Sequence, residues 1–243
     1  MKTYGRTDVG MLRHENQDAF GIFPLKDAVL AVLCDGMGGE AGGKAAAEIC
    51  VSAFRDAYDG GEIPTADALC HTLSFANTAI QKEAKRQGYD RMGTTVVAAL
   101  VTPEEMTLLL VGDSRAYLLR DGELLRLTRD HSYVQELIDC GTISEREARN
   151  HYHRNLLTRA VGAKRRVEAD TLALPAKEGD RLLLCSDGLF GMVEEKEILD
   201  ILTEAESLAL VTHELICAAN FRGGEDNVTV VLLENTKENS SDA

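Results

Sequence analysis

Three apolar runs in this chain break off at an aspartate: AVLAVLCD at Asp35, MTLLLVGD at Asp113 and RLLLCSD at Asp187. A fourth aspartate, Asp226, stands immediately before another apolar run, NVTVVLLE. Any one of them, above all an Asp-Gly such as Asp35-Gly36 or Asp187-Gly188, reads as an ordinary turn residue. As a set they suggest a site. Carboxylates gathered at one edge of a sheet repel one another and take up protons unless cations neutralise them. Ligands made of oxygen alone suit Mg²⁺ or Mn²⁺, which keep several waters and accept a few carboxylates plus a backbone carbonyl. Gly36, having no side chain, can turn its carbonyl toward the same ion. A pair of such ions can create a hydroxide nucleophile near neutral pH and stabilise in-line attack on phosphorus. Arginine grips phosphate oxygens in bidentate fashion, and Arg13, in the segment RHENQD, is the candidate for that grip.

Period and punctuation mark the elements that must position these residues. Residues 28–35 read as a buried strand that stops on Asp-Gly, followed by a Gly-rich loop and a helix that begins near Gly42 and halts at Asp59-Gly60-Gly61. A second helix is expected over 65–87, with Thr65 or Asp67 as N-cap and Gly88 at its end. Strands are expected over 94–101, 106–113 and 115–120, and Asp121-Gly122 is a two-residue hairpin turn into ELLRLT. Residues 131–162 are polar and short-helical, an excursion from the sheet. A strand over 181–187, helices over 194–202 and 206–219, and a strand over 227–234 complete the pattern. Helices in adjacent pairs and strands in succession imply an α+β fold of antiparallel sheets covered by helices, not alternating βαβ units. No repeat or Pro/Ser linker divides the chain, so one domain is expected over 1–234, with 235–243 trailing into solvent.

Composition bounds the partners. With 243 residues, 44% hydrophobic and 27% charged, the chain is that of an ordinary soluble globular protein. No stretch approaches the roughly 18 apolar residues of a membrane span, and the start lacks the apolar core of a signal peptide, so a cytoplasmic location is expected. A net charge of −14 disfavours nonspecific binding to nucleic acid or anionic membrane. Six cysteines without a CxxC pair, most of them among apolar neighbours, argue against a disulfide framework and against a zinc site.

RHENQD (13–18), DGMGG (35–39), MGTT (92–95), GDSRAY (112–117), LTRDHS (127–132), NLLTRAVG (155–162), LLLCSDGL (182–189) and GGEDNVT (223–229) resemble, in order, the motifs of the PPM/PP2C metal-dependent protein phosphatases. The likeness runs from about Gly5 to Leu233 and is closest to the compact bacterial members that oppose eukaryotic-like Ser/Thr kinases. It implies a four-layer α-β-β-α sandwich, two antiparallel sheets flanked by helix pairs, with metals at one edge. It further implies two Mn²⁺ or Mg²⁺ ions and a third, weaker one. By motif position Asp35 would bridge the two ions and Gly36 would lend its carbonyl to one, while Asp187 and Asp226 would hold the other. Asp113 would help hold the third ion, Asp18 would bind metal-coordinated water, and Arg13 would clamp the phosphate. Segment 131–162 resembles the flap beside the active site. The implied substrates are phosphorylated proteins, a Ser/Thr kinase among them, and the implied form is a monomer. The chain departs from the pattern at Met37, where eukaryotic members carry a His proposed as general acid, at Gln17, acidic in many relatives, and at Tyr152, often Pro.

Three other readings compete. Residues 38–45, GGEAGGKA, nearly form a P-loop, but Ala45 lacks the hydroxyl that would bind Mg²⁺, and Lys44 reads as a solvent-exposed residue of the first helical turn. Cys140 and Arg146 satisfy the CX₅R spacing of cysteine phosphatases, a pattern that chance readily supplies, and Glu145 would sit within the phosphate cradle. An inactive binding module would have lost ligands, and here every ligand position is filled. His14, His71, His151, His153 and His213 are given no chemistry, and for His131 a structural role is preferred to one in shaping the flap.

Overall fold

Alternation along the central strands decides the architecture. In β3 (Ala28–Met37), Leu30, Val32 and Cys34 point into one apolar cluster while Ala31 and Leu33 point into another. In β11 (Val228–Glu234), Val231 and Leu233 share that second cluster, and Val228, Val230 and Leu232 face a third. Two sheets therefore press their inner faces together, and each needs helices on its outer face. Each fully buried Leu or Val in these layers contributes roughly 1.5–3 kcal/mol.

The computed structural model describes residues 1–39, 42–205 and 207–236. One sheet runs β1 (Lys2–Asp8), β11, β10 (Arg181–Cys185), β7 (Arg115–Arg120), β8 (Glu123–Arg126). The other runs β2 (Asp18–Leu25), β3, β5 (Val96–Val101), β6 (Glu105–Val111), β9 (Asp170–Pro175), with the short β4 (Gly93–Thr94) paired to β3. Every pairing is antiparallel. Helices α1 (Gly42–Tyr58) and α2 (Ala66–Gln87) cover the second sheet. Helices α5 (Asp187–Phe190), α6 (Glu195–Glu204) and α7 (Leu208–Phe221) cover the first. This is the α+β, four-layer α-β-β-α sandwich.

Local chemistry explains the boundaries. Thr65, not Asp67, caps α2, its Oγ1 accepting from the Ala68 N–H at 3.2 Å, and Gly88 ends the helix in the left-handed region at φ 74°. Asp121 and Gly122, at φ 54° and 82°, form the expected tight turn from β7 to β8. Strand β3 does not stop at Asp35. It continues to Met37 because Gly36 and Met37 pair with Thr94 and Gly93 of β4. Asn235, expected at the head of a solvent-borne tail, is instead buried: its N–H donates to Asp180 O (2.9 Å) and its carbonyl accepts from the Gly179 N–H (2.8 Å). Residues 237–243 of that expected tail lie outside the described residues.

The excursion at 131–162 carries α3 (Tyr133–Asp139) and α4 (Glu145–Arg149) and is tied down by bridges of Ser132 to Leu157 and Thr94 to Val161. All six cysteines are free; Cys34, Cys50 and Cys185 are buried and Cys70 packs half-buried against the core, whereas Cys140 and Cys217 are exposed. No helix among the described residues is long and apolar enough to cross a membrane.

Candidate metal centre

The β2–β3 ladder sets Asp18 directly opposite Asp35. The main chain at Asp35 is fully engaged. Its N–H donates to Thr95 Oγ1 (2.9 Å), and its carbonyl accepts from the Thr95 N–H (2.8 Å) and the Thr94 hydroxyl (2.8 Å). Thr95 Oγ1 is itself 2.7 Å from Ser114 Oγ, next to the buried Asp113 that follows β6. Gly36 lies against the start of α1 so closely that a Cβ there would stand 2.2 Å from Gly43 O. Only glycine permits that approach.

Asp187 enters from the other sheet as the first residue of α5, immediately after β10. A Cβ on the neighbouring Gly188 would meet Asn227 O at 2.0 Å, so the turn is packed directly on the segment that carries Asp226. Asp226 accepts from the Asn227 N–H at Oδ1 (2.8 Å) and from Arg13 Nη2 at Oδ2 (2.7 Å). Arg13 is held there by a loop that clasps residues 224–226: Met11 N–H donates to Gly224 O at 2.8 Å, and Gly10, at φ 79°, approaches Asp226 O where a Cβ would lie 2.2 Å away. Asn227 knits the loops together, its Oδ1 accepting from the Gln17 N–H (2.8 Å) and its Nδ2 donating to Val9 O (2.8 Å) and Glu15 O (3.0 Å).

Six of the seven candidate residues, Arg13, Asp35, Gly36, Asp113, Asp187 and Asp226, line one cleft. Asp18 is buried beneath it, Oδ2 accepting from Ser186 Oγ (2.8 Å) and Thr229 Oγ1 (2.7 Å). Loss of water around Asp18, Asp35, Asp113 and Asp187, reinforced by repulsion from neighbouring carboxylates, drives their pKa values up. Asp35 and Asp113 lie well above the ordinary carboxylate range. Asp18 is pushed up to about 7 and Asp187 to about 6, the latter offset by a hydrogen bond with the Asp35 side chain and by Arg13.

This donor set fits a hard cation. It is all oxygen, and Oδ1 of Asp18 and Oδ1 of Asp187 are buried without a hydrogen-bond partner, which costs about 1–3 kcal/mol apiece unless another group meets them. Among the described residues no three His, Cys, Asp or Glu side chains converge into a ready-made ion site. Mg²⁺ and Mn²⁺ sites do not demand one, because these ions retain waters and take one or two carboxylates each.

Sequence reasoning assigned no role to the hydroxyls of Thr94, Thr95, Ser186 and Thr229, although each adjoins a singled-out aspartate or lies in a quoted motif. Exposed His14 and half-buried Met37 also line the cleft. His131 is structural: Nδ1 accepts from the Gly112 N–H (3.2 Å), which leaves Nε2–H to face Asp170 Oδ2 at 3.1 Å. Lys44 of the P-loop-like stretch pairs with Glu15 at 3.3 Å.

Residues 13–214 match the family described as protein phosphatase 2C. The serine/threonine phosphatase stp of Listeria welshimeri is 41% identical over 236 residues, covering 94% of each chain. Among solved structures, the serine/threonine phosphatase of S. agalactiae superposes with a TM-score of 0.90 at 34% identity, over 96% of this chain and 98% of that one. The catalytic domain of PstP, solved in complex with two manganese ions, superposes with a TM-score of 0.84 at 36% identity, over 95% and 96% of the two chains. With the family match, the identity to its relatives and the shared sandwich extending over most of its length, this chain belongs to the protein phosphatase 2C family.

Proposed function

We propose that this chain is a metal-dependent protein serine/threonine phosphatase that hydrolyses phosphoserine and phosphothreonine, with two Mn²⁺ or Mg²⁺ ions held at Asp35, Gly36, Asp187 and Asp226 and a third, weaker one at Asp113. The observation that carries this reading is the cleft itself: Asp35, Asp113, Asp187 and Asp226 lining it together, a buried Asp187 Oδ1 without a hydrogen-bond partner, and Arg13 alongside on Asp226. Bound there, the ions supply a nucleophilic water at neutral pH and Lewis-acid stabilisation of the phosphoryl charge. Arg13 exchanges its contact with Asp226 for the phosphate oxygens and orients the group. Asp35 and Asp187 give up the protons that burial leads them to retain. Asp18, fixed by Ser186 and Thr229, presents its free oxygen as an acceptor for water at the centre. Met37 has no proton to offer, so the leaving oxygen does not take one from that position.

The substrates in this reading are cytoplasmic phosphoproteins, including a Ser/Thr kinase that the phosphatase opposes, and the enzyme works as a monomer without nucleic acid or membrane. The net charge of −14 supports the last point. Residues 131–162 serve as a flap, in keeping with Asn155 and Leu157 at the border of the cleft. The test is hydrolysis of a phosphothreonine peptide with Mn²⁺, with chelator, and by Asp35→Asn. Turnover with Mn²⁺ that both other conditions abolish is expected; turnover that survives them would remove the metal mechanism.

A further inference from the structure

A second cavity, of about 240 Å³, opens beside the metal cleft and shares a wall with it: Arg13, Asp113, Asn155, Asp187 and Asp226 line both. Part of its lining is apolar: Val134 and Ile138 of α3, Ala148 of α4, and Phe190, Met192 and Val193 after the start of α5. Helix α3 has no fully buried side chain. Val134 and Ile138 thus keep an apolar face open toward the cavity instead of completing a core.

Several polar side chains of the same cavity already have partners. Arg115 and Arg126 both donate to Asp130, and Arg115 also stacks on Phe190, 3.6 Å from the ring centroid. Tyr117 O–H donates to Glu195 (3.1 Å), and Arg154 pairs with Glu225 (2.9 Å). A charged ligand would have to break these pairs in a half-buried setting, whereas an apolar side chain only displaces water from Ile138, Val134 and Met192.

We propose that this cavity is a specificity subsite for an aliphatic side chain of the phosphoprotein substrate, carried two or three residues from the phosphorylated serine or threonine. An extended peptide advances about 7–10 Å over that span, which takes it from one cavity across the shared wall into the next. The assignment rests on the phosphatase reading and adds to it a sequence preference.

The experiment uses phosphothreonine peptides that differ only at positions two and three to either side of the phosphothreonine, with Leu, Ala or Asp at each, and p-nitrophenyl phosphate as a substrate too small to reach the subsite. The ratio of kcat/KM for the Leu and Ala peptides should be about ten at one position, the return for partly burying the extra carbons. Ile138→Trp, which fills the cavity, and Met192→Ala, which removes its wall, should each bring that ratio toward one. Each ratio is measured within one variant, so a general loss of activity cancels. No Leu preference at any position, a preference for Asp, or a preference undiminished in both variants would overturn the subsite. Absence of turnover of p-nitrophenyl phosphate and of every peptide by the unaltered protein with Mn²⁺ would instead overturn the phosphatase reading.

Discussion

Asp18 and Asp35 face each other across an antiparallel ladder, Asp18 buried and Asp35 half-buried at the wall of the cleft. Folding raises both pKa values above the 3.8 of a free aspartate, Asp18 to about 7, chiefly through burial. Asp187 and Asp226 face the pair from the other sheet and add to the repulsion, and Asp113 adds to it at Asp35. The native state therefore holds protons that the unfolded chain has already lost between about pH 4 and pH 7, and the metal-free protein loses stability as pH rises through that window. Thermal unfolding without metal should give a lower Tm at pH 7.5 than at pH 5.5. Mn²⁺ should raise Tm at pH 7.5 and shrink the difference. Asp18→Asn keeps its bonds to Ser186 and Thr229, since hydroxyls both donate and accept. It should raise the metal-free Tm at pH 7.5 by a few degrees. A metal-free Tm that is flat or rising over this range would contradict the account.

Arg13 separates activity from stability. Its contact with Asp226 is short, at 2.7 Å, but more than half of its side chain is exposed, and such pairs contribute less than about 1 kcal/mol. Arg13→Ala should leave the urea midpoint of unfolding nearly unchanged while lowering kcat/KM on a phosphopeptide by about a hundredfold, the usual cost of removing one charged donor from a transition state. Arg13→Lys should recover only part of the loss, because an ammonium cannot present two parallel donors. Equal losses in both variants, tracking a fall in stability, would make Arg13 structural.

The chemistry of this chain is more legible in its sequence than the sheets that carry it. Asp35, Asp113, Asp187 and Asp226 announce themselves because each adjoins a long apolar run, and such runs become the central strands β3, β6, β10 and β11. The outer strands are another matter. β1, β2 and β9 lie at sheet edges, where one side faces solvent or a loop, and their sequences lack sustained apolar alternation. β2 also holds Pro24, a residue that sheets tolerate at an edge. Asp18, which opens β2, therefore has no strand signal around it, and only its motif draws attention to it. The hydroxyls of Ser186 and Thr229 stay hidden for a different reason. They come from separate strands' ends and meet Asp18 only when the two sheets pack face to face.

The glycines of the centre are steric requirements, and two of them can be told apart from turn glycines. Gly36→Ala places a methyl 2.2 Å from Gly43 O, and Gly10→Ala places one 2.2 Å from Asp226 O at a φ of 79°. Backbone must move in both cases, at a cost of about 1–3 kcal/mol. Gly122→Asn is the control, since Gly122 has a similar φ of 82° but nothing within 4 Å of an added Cβ, and Asn tolerates the left-handed region. Urea unfolding of the metal-free variants should rank Gly122→Asn close to the unaltered protein and the other two well below it. An undisturbed Gly36→Ala would mean that α1 can withdraw from β3 at no cost.

Cys140 provides the sharpest contrast with a covalent mechanism. A CX₅R phosphatase loop works by aiming its backbone N–H groups at one anion, with the thiolate beneath. Here those donors are already spent. Cys140 N–H donates to Glu136 O, Gly141 N–H to Ile138 O, and Thr142 and Ile143 N–H to Leu137 O. Ser144 N–H donates to Glu147 Oε2 within the cap of α4. The segment is the end of one helix and the start of the next, and its thiol points to open solvent. Cys140→Ser should therefore keep kcat/KM on a phosphothreonine peptide within about twofold, with unchanged Mn²⁺ dependence, since surface substitutions away from a site have small effects. Alkylation of the exposed thiol should be equally harmless. A folded Cys140→Ser protein without activity would revive the cysteine reading and displace the metal one.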